Sequence, residues 1–316
     1  MKKIVYVTGC LGFIGVHITR QCLSQGWYVI GVDKGTYASN YNFLTEFNQN
    51  PNFKFIESDI NDLTRLVDCD YVINTAAETH VDNSIMSSDV FIRSNINGVH
   101  HLLELIKQQP RHKAPTLLHF STDEVYGDIE HGSHTETDLL KPSNPYSASK
   151  AAADMLVLAW ARTYGIKYII IRPTNNYGIG QYVEKLIPKS VKYLELGKKI
   201  DLHDSGRPVR TWLHASDTAR AMISIIDSGC INEIFNISGN TELPNCEVIK
   251  KILHLYYGVD HNSDWETFTT SSARQGQDVR YAIDDSKLKK LGWSPVANFD
   301  QELTKVVEYY RNNFVW

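Results

Sequence analysis

Cysteine is scarce in this chain of 316 residues: there are five, Cys10, Cys22, Cys69, Cys230 and Cys246. Their number is odd and no two stand as Cys-x-x-Cys, which removes the usual zinc spacings and argues against a disulfide framework. Reduced thiols in a reducing compartment are the expectation. Cys10, inside a glycine-rich loop, reads as a small filler rather than a nucleophile. No apolar run approaches the roughly 20 residues that cross a bilayer. The opening MKKIVYVTG starts basic, but its apolar stretch is too short for a secretory signal and meets a glycine turn at once. It reads as a first strand, and a cytoplasmic protein is expected. A strong charge of one sign is also missing: the formal net charge of −4 gives nothing to attract nucleic acid. Tandem repeats, low-complexity tracts and long linkers are absent. His80 and His203 have no carboxylate–histidine spacing around them, so no metal is expected.

What is there is an alternation. Short β-branched runs at 4–8, 28–33, 54–57, 71–75, 116–122 and 167–172 are separated by helical patterns, with Ile14, Ile18 and Cys22 or Leu102, Leu103 and Ile106 at helical spacing. Continuous apolar runs such as IVYV and YIII suit parallel strands covered on both faces. The alternation predicts an α/β fold, a Rossmann-type doubly wound parallel sheet. After about Pro173 the pattern loosens into helices at 183–196, 217–228, 247–257 and 301–311 with short strands and turns. We divide the chain into a cofactor domain, 1–173, which can receive elements from the second half, and a smaller α/β substrate lobe, 174–316.

Gly9, Gly12 and Gly15 join the first predicted strand to the first helix, and Asp33 ends the second strand. One glycine lets the chain turn, one admits a pyrophosphate, and one lets helix and strand pack closely. The helix N-terminus offers free N–H groups to an anion. A carboxylate at 33 can accept from the adenosine ribose and would repel a 2′-phosphate, which favours NAD over NADP.

Tyr146 and Lys150 stand four apart in a helical segment opened by Pro145. They share one helix face. A phenol is a poor base at neutral pH, and an ammonium and an oxidised nicotinamide beside it both favour the phenolate. The pair can take a proton from a sugar hydroxyl as hydride leaves. Asp123 and Glu124 follow the predicted fifth strand. On a regular strand they would face opposite ways, so one substrate can use both only if the chain turns there, as Gly127 permits. Two neighbouring carboxyls in a partly dry site split into an acid and a base.

The glycine spacing resembles that of the extended short-chain dehydrogenases/reductases. The segments STDEVYG and NPYSASK resemble the dTDP-glucose 4,6-dehydratases and their UDP-glucose counterparts, and the likeness runs through AETHVD, NNYG and EKLIP to the C-terminal lobe. It implies an NAD site made from Gly9, Gly12, Phe13, Ile14, Gly15, Asp33, Lys34, Asp59, Ile60, Ala76, Ala77, Ser94, Tyr146, Lys150 and Asn176. It implies a nucleotide-sugar site from Thr79, Thr122, Asn175, Lys185, Leu186, His203, Arg210, Asn245 and Arg274. It implies catalysis by Thr122, Asp123, Glu124, Tyr146 and Lys150: oxidation at C4, proton removal from C5 by Glu124, protonation of the leaving C6 hydroxyl by Asp123, and reduction at C6. A homodimer is implied too, with the 95–108 and 146–164 segments as interface candidates.

The chain departs from the pattern at Gln277, where a histidine is common, at Val279-Arg280, where two arginines are common, and at Asp201-Leu202-His203, where a more apolar triplet is usual. These departures leave dTDP and UDP both open. Epimerases and UDP-glucuronate decarboxylases share the Tyr–Lys pair but typically lack an acid matching Asp123. A silent NAD-binding sensor would not need the Tyr–Lys and Asp–Glu pairs together.

Overall fold

Successive residues of a strand point to opposite faces of its sheet, and the apolar runs fill both. In the computed structural model, which describes residues 2–313, Val5 and Val7 face one core with Cys22, Met222 and Phe235, while Tyr6 faces another with Leu102, Leu103 and Val157. The same split separates Ile169 and Ile171 from Ile170. Burial on both faces is why these strands read as continuous apolar runs.

In chain order the strands are β1 (Ile4–Thr8), β2 (Tyr28–Asp33), β3 (Phe53–Glu57), β4 (Tyr71–Asn74), β5 (Thr116–Phe120), β6 (Tyr168–Pro173), β7 (Asn175–Tyr177), β8 (Ile200–His203), β9 (Val209–His214), β10 (Glu233–Ile237), β11 (Thr241–Pro244) and β12 (Thr269–Ser272). Seven form one sheet in the order β10-β6-β5-β4-β1-β2-β3, with every pairing parallel. The predicted doubly wound fold is present. The order reverses beside β1, which places a crevice at the carboxyl ends of β1 and β4, where such sheets take ligands. Edge strand β10 and the Ala215–Asp227 helix, packed on the Phe13–Ser24 helix, both come from the second half of the chain.

The remaining strands form a three-stranded sheet, β11-β9-β7, and a pair, β12-β8. They pack with the Leu186–Glu195, Asn245–Tyr257 and Phe299–Asn312 helices around Ile187, Val191, Trp212, Ile252 and Leu303. This lobe closes over the carboxyl edge of the large sheet, so residues from both halves line one cleft. Among the described residues no helix is long and apolar enough to cross a membrane, and no cluster of three or more histidine, cysteine or acidic side chains could hold a metal ion.

Candidate active site

The glycine turn shapes the cofactor end of the cleft. Gly9 has φ +71°, and a Cβ on it would lie 2.7 Å from the Ala76 nitrogen. A Cβ on Gly15 would lie 1.9 Å from the Gly9 carbonyl oxygen, so that helix position is closed to any side chain. The Phe13–Ser24 helix has no side-chain cap at Gly12 and no acid in its first turn, which leaves its N-terminal N–H groups open to an anion. Asp33 does two jobs: its carboxylate accepts from the Leu11 N–H at 3.0 Å, the Gly35 N–H at 2.9 Å and the Ser39 hydroxyl at 2.8 Å. It shapes the loop as well as facing the cleft.

A cavity of about 280 Å³ runs from this turn to the Tyr146 ring. Gly9, Gly12, Phe13, Ile14, Gly15, Asp33, Lys34, Asp59, Ile60, Ala76, Ala77, Ser94, Tyr146 and Asn176 all line it. Of the residues assigned to the cofactor from sequence, Lys150 alone stands back from it, behind Tyr146. The open helix terminus, the carboxylate at the end of β2 and the long slot between them fit a dinucleotide.

The Pro145–Tyr164 helix positions the Tyr–Lys pair. Asn144 and Ser147 cap it reciprocally, Pro145 opens it, and Gly165 closes it at φ 72°. The Tyr146 N–H donates to Ser84 Oγ at 3.2 Å. Lys150 Nζ donates to the Phe120 carbonyl at 2.5 Å. Burial lowers the Lys150 ammonium to about 8, and Asp154 opposes that. Sequence reasoning expects Lys150 and an oxidised nicotinamide together to favour the Tyr146 phenolate. In the protein alone the hydroxyl is pushed up, by burial first and then by Glu124, with a Thr122 hydrogen bond acting the other way.

The acid–base turn is where β5 stops two residues earlier than expected. Asp123–Tyr126 form a single 3₁₀ turn, capped by the Thr122 hydroxyl accepting from the Glu124 N–H, and Gly127 leaves it at φ 81°. That turn is the departure from strand geometry that lets Asp123 and Glu124 serve one site. Asp123 is 3% exposed; one oxygen accepts from Thr122 Oγ1 at 3.1 Å, and the other has no partner among the described residues. Burial, with the Glu124 charge second, raises its carboxyl to about 7. Burial also raises Glu124, but Arg210 and Arg274 draw it back. The pair is thus graded, with the proton favoured on Asp123.

Glu124 lines both the first cavity and a second that adjoins it. Thr79, Asn175, Lys185, Leu186, His203, Arg210, Asn245 and Arg274 line the second, while Thr122 lies in the first. Lys185 Nζ donates to the Thr79 carbonyl at 2.9 Å. Arg210 lies 4.4 Å over the Tyr281 ring and donates to the carbonyls of Val209 and Asp278. Arg274 is 3.4 Å from Asp82, and its buried Nε has no partner among the described residues. The side-chain oxygens of Asn175 and Asn245 are likewise buried without partners among the described residues. A polar ligand is the ordinary way to satisfy such groups.

The departures from the family pattern fall in different places. Asp201 accepts from Thr270 and Ser272, and His203 meets Ser272 at 3.1 Å and Asp82 at 3.4 Å, at the far end of the second cavity. Gln277 lines that cavity and donates to the Asp278 carbonyl at 2.8 Å. Arg280 pairs with Glu242 and donates to the Gly132 carbonyl, away from the cavity lining. Sequence reasoning missed Asn95. Buried in a widened π-helical turn, it clamps the Glu78 backbone at both N–H and C=O and donates to Ser149 at 2.8 Å. It also missed Asp154, wholly buried on the Tyr146–Lys150 helix.

The family model for GDP-mannose 4,6 dehydratase matches residues 6–306. The dTDP-glucose 4,6-dehydratase of Neisseria meningitidis serogroup B is 41% identical over all of this chain and 95% of its own length. That of Escherichia coli is 38% identical over 99% of this chain and 94% of its own. A solved dTDP-glucose 4,6-dehydratase from Streptomyces venezuelae, with NAD and TYD bound, superposes with a TM-score of 0.91 at 37% identity, covering 98% of this chain and 97% of that one. UDP-glucuronic acid 4-epimerase from Bacillus cereus also superposes, at 0.89 but 23% identity, and shares the fold alone. With full-length identity near two in five and both paired motifs in place in one cleft, the chain belongs to the dTDP-glucose 4,6-dehydratase family of the NAD-dependent, extended short-chain dehydrogenase/reductase type.

Proposed function

We propose that this protein is a hydro-lyase that converts dTDP-glucose to its 4-keto-6-deoxy form with NAD held through the whole turnover. The observation that carries the reading is the graded carboxyl pair: buried Asp123, raised to about 7, beside Glu124 at the junction of the two cavities. An epimerase has no use for a protonated acid at that place.

In this reading Tyr146 takes the C4 hydroxyl proton, and Thr122 hydrogen-bonds the C4 oxygen. Bound NAD supplies the hydride acceptor for C4 and the donor for C6. The C4 ketone acidifies C5, Glu124 removes the C5 proton, Asp123 gives its proton to the C6 hydroxyl, which leaves as water, and Glu124 returns the proton to C5 as C6 is reduced. The cofactor ends as it began, which favours tight retention. Lys185, Arg210 and Arg274 face the diphosphate, for which a guanidinium fork is suited. Residues 1–173 supply most cofactor contacts and 174–316 most nucleotide contacts. The relatives at 38–41% identity favour dTDP over UDP as the carrier. The reading includes a cytoplasmic homodimer; Met86, Val90, Ile92 and Met155 leave exposed apolar surface on the helices beside the site for a second copy.

Glu124→Gln tests the reading. Purified enzyme is incubated with dTDP-glucose or UDP-glucose, and the loss of one water is followed by mass spectrometry. Wild type is expected to dehydrate dTDP-glucose faster, and the variant to be slower by about 100- to 10,000-fold. A variant at near wild-type rate removes Glu124 as the base.

A further inference from the structure

Behind the cleft lies a wholly buried set of charges that the reaction, as written above, does not use. Asp154 follows Lys150 by one helical turn and is 0% exposed. One carboxylate oxygen accepts from Ser121 Oγ at 3.0 Å and from Arg172 Nε at 3.0 Å. Arg172, 1% exposed, donates its other arm to the Tyr126 hydroxyl at 2.6 Å, and that hydroxyl donates to Asn236 Oδ1 at 2.9 Å. His119 Nε2 is 3.7 Å from the remaining Asp154 oxygen, and burial holds that imidazole well below its ordinary value. It therefore adds no charge to the set.

The connections reach every segment that carries chemistry. Ser121 precedes the acid–base turn, and Tyr126 ends it. Asp154 itself lies on the helix of Tyr146 and Lys150. A buried ion pair is weak evidence for stability, because desolvation cancels much of the attraction, and fixing one arrangement is its better-attested use. We propose that Asp154 is a positioning residue which, with Arg172 and Tyr126, sets the Asp123–Glu124 turn against the Tyr146–Lys150 pair. The proposal rests on the dehydratase reading.

A turn and a helix held by one strut predict a split between the steps. Oxidation at C4 depends on the helix, and elimination depends on the turn. Asp154→Asn leaves Arg172 buried without a counter-charge and endangers the fold. Tyr126→Phe is the deciding variant: it keeps the ring, over which the guanidinium lies at 4.7 Å, and removes only the hydroxyl at the turn's end. Purified wild type and Tyr126→Phe are compared in dTDP-glucose turnover, with bound NAD, KM and the near-ultraviolet absorbance of reduced nicotinamide all recorded. Water loss is expected to slow by about 10- to 100-fold, the cost of a small misplacement of a catalytic group. NAD content and KM stay unchanged, and reduced nicotinamide builds up during turnover because oxidation outruns elimination. A folded Tyr126→Phe at wild-type rate overturns the proposal. So does a slow variant with less NAD, higher KM and no build-up, which marks a merely structural role. Wild type that releases no water overturns the dehydratase reading itself, and the strut with it.

Discussion

The two ends of the cleft are shaped by different means. At the cofactor end the shape is set by backbone: a left-handed Gly9, a Gly15 with no room for a Cβ, and an uncapped helix terminus. At the nucleotide end it is set by long side chains that occupy one another, as Arg274 does Asp82 and Arg210 does backbone carbonyls. Backbone can be right in only one conformation, so the cofactor end is built once, on folding. Side-chain partners can be exchanged, so the nucleotide end is free to trade internal contacts for ligand contacts. In the proposed reaction, tight retention of a recycled cofactor and release of a changed sugar nucleotide call for that division.

The largest expected effect is at the junction of the two ends, where neither kind of recognition is at stake. Asp123→Asn is expected to slow water loss by about 100- to 10,000-fold, with bound NAD and KM unchanged. Loss of either would show that the turn belongs to one end. The same variant has a stability signature. Because burial raises the Asp123 carboxyl from 3.8 to about 7, the folded protein holds this proton more tightly than the unfolded chain. Its contribution to stability is then full below about pH 4 and lost as pH rises through about 7. Removing the ionisable group should therefore stabilise the protein at about pH 8, by about 2–4 kcal/mol relative to its effect near pH 4. Denaturant melts at the two pH values measure this; equal effects at both would mean that folding leaves the carboxyl unshifted.

Gly15→Ala attacks the backbone-built end. A methyl placed 1.9 Å from the Gly9 oxygen forces the turn or the helix to move. Overpacking of this kind costs about 1–3 kcal/mol, which is roughly 5- to 150-fold in affinity. The expected outcome is enzyme purified with little NAD, while dTDP binding, followed by calorimetry, holds. Full NAD occupancy would show that the turn has slack and the contrast between the ends is overstated.

That contrast also decides what could be read from sequence. Gly9, Gly15 and Asp33 were legible because a backbone requirement leaves a fixed residue type at a fixed spacing. The strands of the first half were legible for a related reason: parallel strands buried on both faces carry unbroken apolar runs. The sequence predicts the end of β5 two residues late, since Ser121-Thr122 continues a plausible strand, and only the Thr122 cap on the Glu124 N–H shows the turn. The side chains of the second half, among them Lys185, Arg210, Asn245 and Arg274, came through the family likeness. Nothing in their local spacing brings residues 79, 185, 210 and 274 together. Asn95 and Asp154 gave no signal at all, because a buried polar residue amid a helical pattern looks like an ordinary surface one until its partners, 17 and 18 residues away or more, are in place.

Arg210→Lys tests the exchangeable end with a conserved charge. A lysine cannot reach two carbonyls as a fork or lie flat on Tyr281. The expected result is a KM for dTDP-glucose higher by roughly 10-fold, the worth of a charged hydrogen bond at about 1.5 kcal/mol, with NAD content unchanged. A fall in kcat alone would move Arg210 from binding to the chemistry, through its influence on Glu124.

Asp82→Asn should give the smallest effect and the most direct test of exchange. The hydrogen bond from His203 holds the Asp82 carboxyl well below its usual range despite partial burial, and Arg274 adds to this. The contribution to stability is therefore present above about pH 4 and lost as pH falls through the depressed folded value. With the side chain 37% exposed, solvent screening keeps it below about 1 kcal/mol. The amide variant should lose that small increment at neutral pH and melt like wild type in strong acid. Its effect on binding decides more. If Asp82 merely occupies Arg274 until a diphosphate displaces it, the amide frees the guanidinium and KM falls by about 2-fold. If instead the carboxylate holds Arg274 in the geometry the ligand needs, KM rises, and the nucleotide end is as preformed as the cofactor end.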